Sequence, residues 1–169
     1  MNKDTTKEYF IYICIIFLIV FIRSFIVTPV RVNGESMYPT LKDREIMLLN
    51  KVYYRFNDIK RFDIVVVNTE DEKIIKRVIG LPGETLKIEN NILYINGQET
   101  KEKFLKEETA DFNIEDLGIT KIPSDSYFVM GDNRDNSKDS RMIGPVKKSQ
   151  IVGKTKLVIF PFSNKGYRH

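Results

Sequence analysis

The chain has 169 residues, with 27 Lys and Arg against 23 Asp and Glu and a net charge of +4. That length allows one domain plus a short appendage, and so mild an excess, with no basic stripe along the sequence, argues against a nucleic-acid partner. Cys14 is the only cysteine, which excludes an intramolecular disulfide and a cysteine-built zinc site.

The first predicted element is an anchor. Residues 9–22 are apolar and uncharged; after Arg23 the run resumes to Val27, and Pro29 closes off helical character. With the Arg23 stem lying along apolar surface, residues 9–27 reach the roughly 20 needed to cross a bilayer of about 30 Å. A core helix would keep a polar face, and this segment has none. A cleavable leader needs small residues after the apolar run; here Ser24-Phe25-Ile26-Val27-Thr28-Pro29 follows, and the only alanine of the chain is Ala110. The expected organisation is therefore a short N-terminus over 1–8, an uncleaved transmembrane anchor over 9–27 and a domain over 28–169. About 140 residues are enough for that domain to build its own core. Lys3 and Lys7 are offset by Asp4 and Glu8, and Arg23 and Arg31 follow, so loop charge alone orients the span weakly.

Beyond Pro29 the pattern is β. Residues 45–49, 62–67 and 73–79 are short β-branched runs. Residues 85–89 and 92–95 flank Asn90-Asn91, a tight-hairpin signal, and Asn96-Gly97 marks another turn. Residues 126–130 and 155–160 supply two more strands. Residues 98–121 are polar, read as an excursion with a short helix. The expected fold class is mainly β, a barrel or folded-over sheets, tethered by one N-terminal helix.

Three segments carry candidate chemistry. Ser36 follows the turn Asn33-Gly34 and precedes Met37-Tyr38-Pro39-Thr40. A serine there is ordinarily a turn residue, and Tyr38 breaks the nucleophile-elbow pattern. Lys76 sits in Ile74-Ile75-Lys76-Arg77-Val78-Ile79, where alternation puts it on one face with Ile74 and Val78. It reads either as an edge-strand guard or as a base whose burial lowers its pKa. The turn Gly80-Leu81-Pro82-Gly83 then reverses the chain. The third segment, residues 131–141, is dense in polar groups but fails the EF-hand pattern, with Arg134 at the third position and Ser137 at the sixth. It follows an apolar strand and suits a polar network bracing a site. Gly153-Lys154-Thr155 imitates the end of a phosphate-binding loop, but Lys148 stands where that motif needs glycine. The only histidine is His169, so a serine nucleophile has a lysine, rather than an imidazole, available as base.

Taken together, Ser36 to Thr40, Lys76 to Glu84 and Gly131 to Arg141 resemble, in order and spacing, three signature segments of the bacterial type I signal peptidases, and the short length with one anchor is similar to their Gram-positive branch. The resemblance implies a signal-peptidase-like β protease core and a membrane-bound serine endopeptidase that removes signal peptides from exported preproteins. It implies Ser36 as nucleophile and Lys76 as general base, acting through an acyl-enzyme without metal or cofactor. It implies Ser137 positioning the lysine amine, Asp139 and Arg141 as a supporting ion pair, and Met37 and Ile74 lining substrate pockets. It places the protein in the cell membrane as a single-pass chain with a cytoplasmic N-terminus, its catalytic domain outside, near the secretion translocon. One departure stands out. Some members carry a serine two residues before the nucleophile to help hold the oxyanion, and this chain has Gly34, leaving the Ser36 N–H with the Gly34 N–H, water or nothing as second donor. A self-cleaving repressor-type protease shares the chemistry but lacks the anchor. The alternative from another class is a catalytically inactive, membrane-tethered binding protein that presents an extended peptide groove.

Overall fold

The computed structural model describes residues 3–105, 108–162 and 165–168; His169 and two residues of the polar excursion, 106 and 107, lie outside them. The chain opens with a helix, α1 (Lys3–Phe25), followed by β1 (Val27–Arg31), β2 (Ile46–Asn50), a one-turn helix α2 (Tyr53–Phe56), β3 (Ile64–Asn68) and β4 (Lys73–Gly80). A smaller unit follows, β5 (Leu86–Glu89), β6 (Ile92–Ile95), β7 (Gln98–Thr100) and β8 (Phe112–Asn113). The chain then returns through β9 (Ser126–Met130), the short helix α3 (Ser140–Ile143), β10 (Val146–Lys147), the long β11 (Ile151–Phe160) and β12 (Gly166–Tyr167).

The strands form two sheets. The larger runs β1-β2-β11-β3-β4-β9-β10, with β12 beside β11, and the smaller runs β7-β6-β5-β8. Every pairing is antiparallel. The mainly β expectation holds, as folded-over sheets rather than a closed barrel. The hairpin at Asn90-Asn91 and the turn at Asn96-Gly97 form as the sequence predicts, and all four residues take positive φ. The short helix expected within residues 98–121 is a 3₁₀ turn, Ile114–Leu117, capped reciprocally by Asn113 and Asp116, and the segment also carries β7 and β8.

The core has three parts. One, around Met37, Leu41, Met47, Val66 and Val158, lies under β1, β2 and β11. A second, around Ile79, Leu86, Ile88, Ile114 and Phe128, joins the smaller sheet to β4 and β9. A third, around Val65, Val67, Val78 and Val129, covers the opposite face of β3 and β4. Each such side chain contributes about 1.5–3 kcal/mol by leaving water.

None of these clusters takes in α1, whose apolar side chains from Tyr9 to Ile22 are exposed. α1 covers the expected anchor only as far as Phe25, and Val27 already belongs to β1. Among the described residues no helix is long and apolar enough to cross a membrane. Pro29 lies inside β1 rather than at a helix end, which an edge strand tolerates.

One cross-strand row positions the site. Val27 pairs with Asn50, Asn50 with Lys154, Lys154 with Val65 and Val65 with Lys76. The first strand residue after α1 and the candidate base therefore share a row across five strands.

Candidate active site

The segment carrying Ser36 leaves β1 through a turn in which Gly34 has φ +82°, a backbone open to glycine at little cost. The turn then tightens: Tyr38 N–H donates to Glu35 C=O, and Leu41 N–H to Met37 C=O. This holds Ser36 half-buried and drives Met37 and Leu41 into the core.

Lys76 approaches from β4. Its Nζ lies 2.7 Å from Ser36 Oγ, across forty residues of sequence. The lysine is only 3 % exposed. Burial pulls its pKa below the ordinary lysine range, while the carboxylates of Asp139 and Glu72 pull it upward. Burial dominates, so the amine is biased toward the neutral form that can accept a proton. The strand around it is half-bare. β9 pairs with β4 only from Arg77 onward, so residues 73–76 are, among the described residues, paired with β3 alone and present a free edge. A cleft of about 240 Å³ lies between this edge and residues 30–37.

The third segment wraps behind both groups. Asn133 N–H donates to Ser36 C=O at 3.0 Å. Gly131 packs so tightly that a Cβ on it would meet Ser36 O at 2.4 Å and Ser137 Oγ at 2.3 Å. Asp139, fully buried, accepts from Arg141 Nε at 2.9 Å and Nη2 at 3.0 Å, and from Gly131 N–H at 3.0 Å. Arg141 also donates to Arg134 C=O at 2.6 Å. The ion pair expected between Asp139 and Arg141 is thus present.

Two expected contacts differ. Ser137 Oγ is buried beside Gly131 without a hydrogen-bond partner, so it does not hold the lysine amine in this conformation. The Gly34 N–H donates to Asp43 Oδ1 at 2.9 Å, so as an oxyanion donor it is already engaged. Among the described residues nothing accepts from the Ser36 N–H, which leaves that donor available. Met37 and Ile74, expected in substrate pockets, both line the cleft.

Sequence reasoning missed two buried cations. Arg77 donates to Asp132 through Nε at 2.8 Å and Nη2 at 2.6 Å, and to Phe62 C=O at 3.0 Å. Its guanidinium lies 4.0 Å from the centre of the Phe104 ring, and the Arg77–Asp132 pair has no exposed side-chain surface. Arg134 pairs with Glu102 and donates to Gly131 C=O at 3.1 Å. An arginine inside an apolar strand was the available signal for the first; Arg134 had none. Among the described residues no group of three metal-binding side chains converges.

Comparison with known proteins gives one answer. The sequence profile of the family described as "Signal peptidase, peptidase S26" matches residues 4–160. Signal peptidase I of Bacillus amyloliquefaciens is 47% identical over 153 residues, 86% of this chain and 83% of that protein. Signal peptidase I S of Bacillus subtilis strain 168 is 44% identical, over 86% of this chain and 84% of its own. Signal peptidase I of Bacillus caldolyticus is 38% identical over 96% of both. Among solved structures, a signal peptidase I from Enterococcus faecalis V583 superposes with a TM-score of 0.55 at 36% identity, covering 58% of this chain and 97% of that one.

Proposed function

The chain belongs to the signal peptidase family, peptidase S26, as a bacterial type I signal peptidase and so a serine peptidase, and from that we infer that it removes signal peptides from exported preproteins by a Ser36/Lys76 mechanism. The observation that carries the mechanism is the 2.7 Å approach of a buried lysine amine to the Ser36 hydroxyl. That is hydrogen-bond reach for a base, and burial lowers the lysine pKa, the direction a lysine base requires.

The preprotein lies extended along the free edge of residues 73–76 and adds a strand to it. Small side chains at −1 and −3 seat in the shallow apolar parts of the cleft, where Met37 and Ile74 lie. Neutral Lys76 takes the Ser36 proton as Oγ bonds to the scissile carbonyl carbon. The C–N bond breaks, the new amino terminus leaves with the proton from Lys76, and an acyl-enzyme remains. Lys76 then takes a proton from water as the water oxygen bonds to the acyl carbon; the bond to Ser36 Oγ breaks, Oγ takes that proton back from Lys76, and the product leaves as a carboxylate, its own proton lost to solvent. The Ser36 N–H stabilises the oxyanion; Gly34 joins it only by releasing Asp43. Ser137 positions Lys76 by rotating toward it, and the Asp139–Arg141 pair holds the third segment in place. No step uses a metal or cofactor.

The exposed apolar side chains of α1, uninterrupted over 9–22, support its insertion with its flanking residues into the cell membrane. The N-terminus is then cytoplasmic and the β domain is on the outer face beside the translocon. With α1 so inserted, the row that joins Val27 to Lys76 supports a cleft near the bilayer surface, where a signal peptide's cut site emerges.

The test is cleavage of preproteins with an Ala-x-Ala site by the full chain in lipid. Cleavage is expected to be abolished in Ser36→Ala and in Lys76→Ala, to persist with chelators, and to be blocked by a serine-reactive acylating inhibitor bound at Ser36. A chain that cut none of several such preproteins and took no label at Ser36 would instead be a binding protein offering an extended groove.

A further inference from the structure

A cluster of cations lies outside the candidate cleft. A cavity of about 520 Å³ opens between β3, β11 and residues 101–104. Six cations line it: Arg61, Lys101, Lys103, Lys154, Lys156 and Arg168. Among the described residues, Asp63 is the one carboxylate lining it. These positions are scattered over more than a hundred residues of sequence, so no basic run announces them.

The internal pairing is incomplete. Arg61 pairs with Glu84 at 2.6 Å, Lys154 with Asp63, and Arg168 with Glu45 at 3.5 Å. Among the described residues no carboxylate lies within ion-pair distance of Lys101, Lys103 or Lys156; Lys156 has only the face of Tyr167, 5.9 Å away. Among the described residues three lysines thus remain uncompensated around one concavity, a field that concentrates anions. The floor is apolar, formed by Phe62, Phe104 and Ile64. The volume falls within the range of small-ligand sites.

We propose that this cavity binds a phosphate-bearing anion. Lysine recognises phosphate as a mobile point charge, and three of them can surround one group without the fixed fork of arginine. The apolar floor suits a ligand whose phosphate is carried on a less polar body. Location favours a lipid headgroup. Lys154 is in register with Asn50, which is in register with Val27, so the cavity wall lies two strands, about 10 Å, from the end of α1. With α1 in a bilayer, this wall of the cavity would stand near headgroup depth. This last step rests on the anchored reading; the anion site itself does not.

The experiment uses the full chain in nanodiscs of pure phosphatidylcholine, titrated calorimetrically with pyrophosphate, and again in discs containing phosphatidylglycerol. The comparison protein carries Lys101→Gln, Lys103→Gln and Lys156→Gln together, and retained preprotein cleavage shows that it is folded. Saturable binding of one pyrophosphate, weakened roughly tenfold or more in the triple variant, is the expected result. If phosphatidylglycerol then competes pyrophosphate away, a lipid headgroup is the occupant. If it does not, the occupant is a free phosphate compound, and the anion site still stands. No saturable binding, or binding equal in the triple variant, overturns the proposal and leaves the peptidase reading untouched.

Discussion

Gly131 and the Ser36 carbonyl are in closer contact than any side chain would allow: a Cβ on the glycine would stand 2.4 Å from that oxygen. The contact joins the end of β9 to the backbone of the proposed nucleophile, and Asn133 N–H clamps the same carbonyl. Gly131→Ala should push the Ser36 segment outward. Overpacking of this kind costs about 1–3 kcal/mol, and displacement of a nucleophile by about 1 Å can lower turnover on the order of 10²-fold. Thermal unfolding and kcat on one preprotein check both effects, and unchanged kcat would contradict the packing argument.

Lys76 links rate and stability through pH. Its pKa is lowered by burial, so kcat/KM should rise as pH passes through that depressed value and then level off. The stability effect has a definite sign. Between the folded pKa and the ordinary value of 10.5 the unfolded chain binds the extra proton, so the stability of the native protein increases with pH across that window. Below the folded pKa the cost of burying the charge is fully present. Lys76→Met, inactive, should therefore be more stable than the native chain at neutral pH, with the gap closing as pH approaches 10.5. Urea melts at several pH values measure it; a gap that widened toward alkaline pH would have the wrong sign.

Ser137 gives a sharper separation of roles. Its buried hydroxyl has no partner, and an unsatisfied buried hydroxyl costs about 1–3 kcal/mol. Ser137→Ala should keep or raise Tm. If the hydroxyl positions Lys76 during turnover, the same variant should lose kcat by about tenfold or more at nearly constant KM. A fall in Tm with normal kcat would make Ser137 a packing residue only.

Arg77 and Asp132 form a fully buried pair beside the site. Removing one partner strands a charge in the interior at a cost of about 3–5 kcal/mol. Asp132→Asn should be markedly destabilised in denaturant, and Arg77→Met/Asp132→Leu should recover part of the loss. If the double variant is no better than the sum of the single ones, the pair is not coupled as its geometry implies.

Much of this was legible because it is local. Asn90-Asn91 and Asn96-Gly97 specify positive φ, and β-branched runs such as 64–67 cannot easily be anything but strands. Ser36, Lys76, Asp139 and Arg141 stood out through their place in three recognisable segments. The rest depends on residues far apart in sequence. Nothing near Arg134 names Glu102 as its partner, and nothing near Gly34 shows that Asp43 would take its N–H. The end of α1 two residues before Val27 reflects a pairing with β2 that overrides the apolar run. The six cations of the second cavity converge only when β3, β11 and residues 101–104 are brought together.

The row from Val27 through Asn50, Lys154 and Val65 to Lys76 has a consequence for cleavage fidelity. The separation between the last helical turn and the Lys76 amine is set by four hydrogen-bonded rungs, about 19 Å at the usual strand spacing, and by no loop. Insertions in the connections, including the whole smaller sheet, can therefore accumulate without changing where an anchored enzyme cuts. A slip of a single rung between β1 and β2 would shift the cut site for every substrate at once.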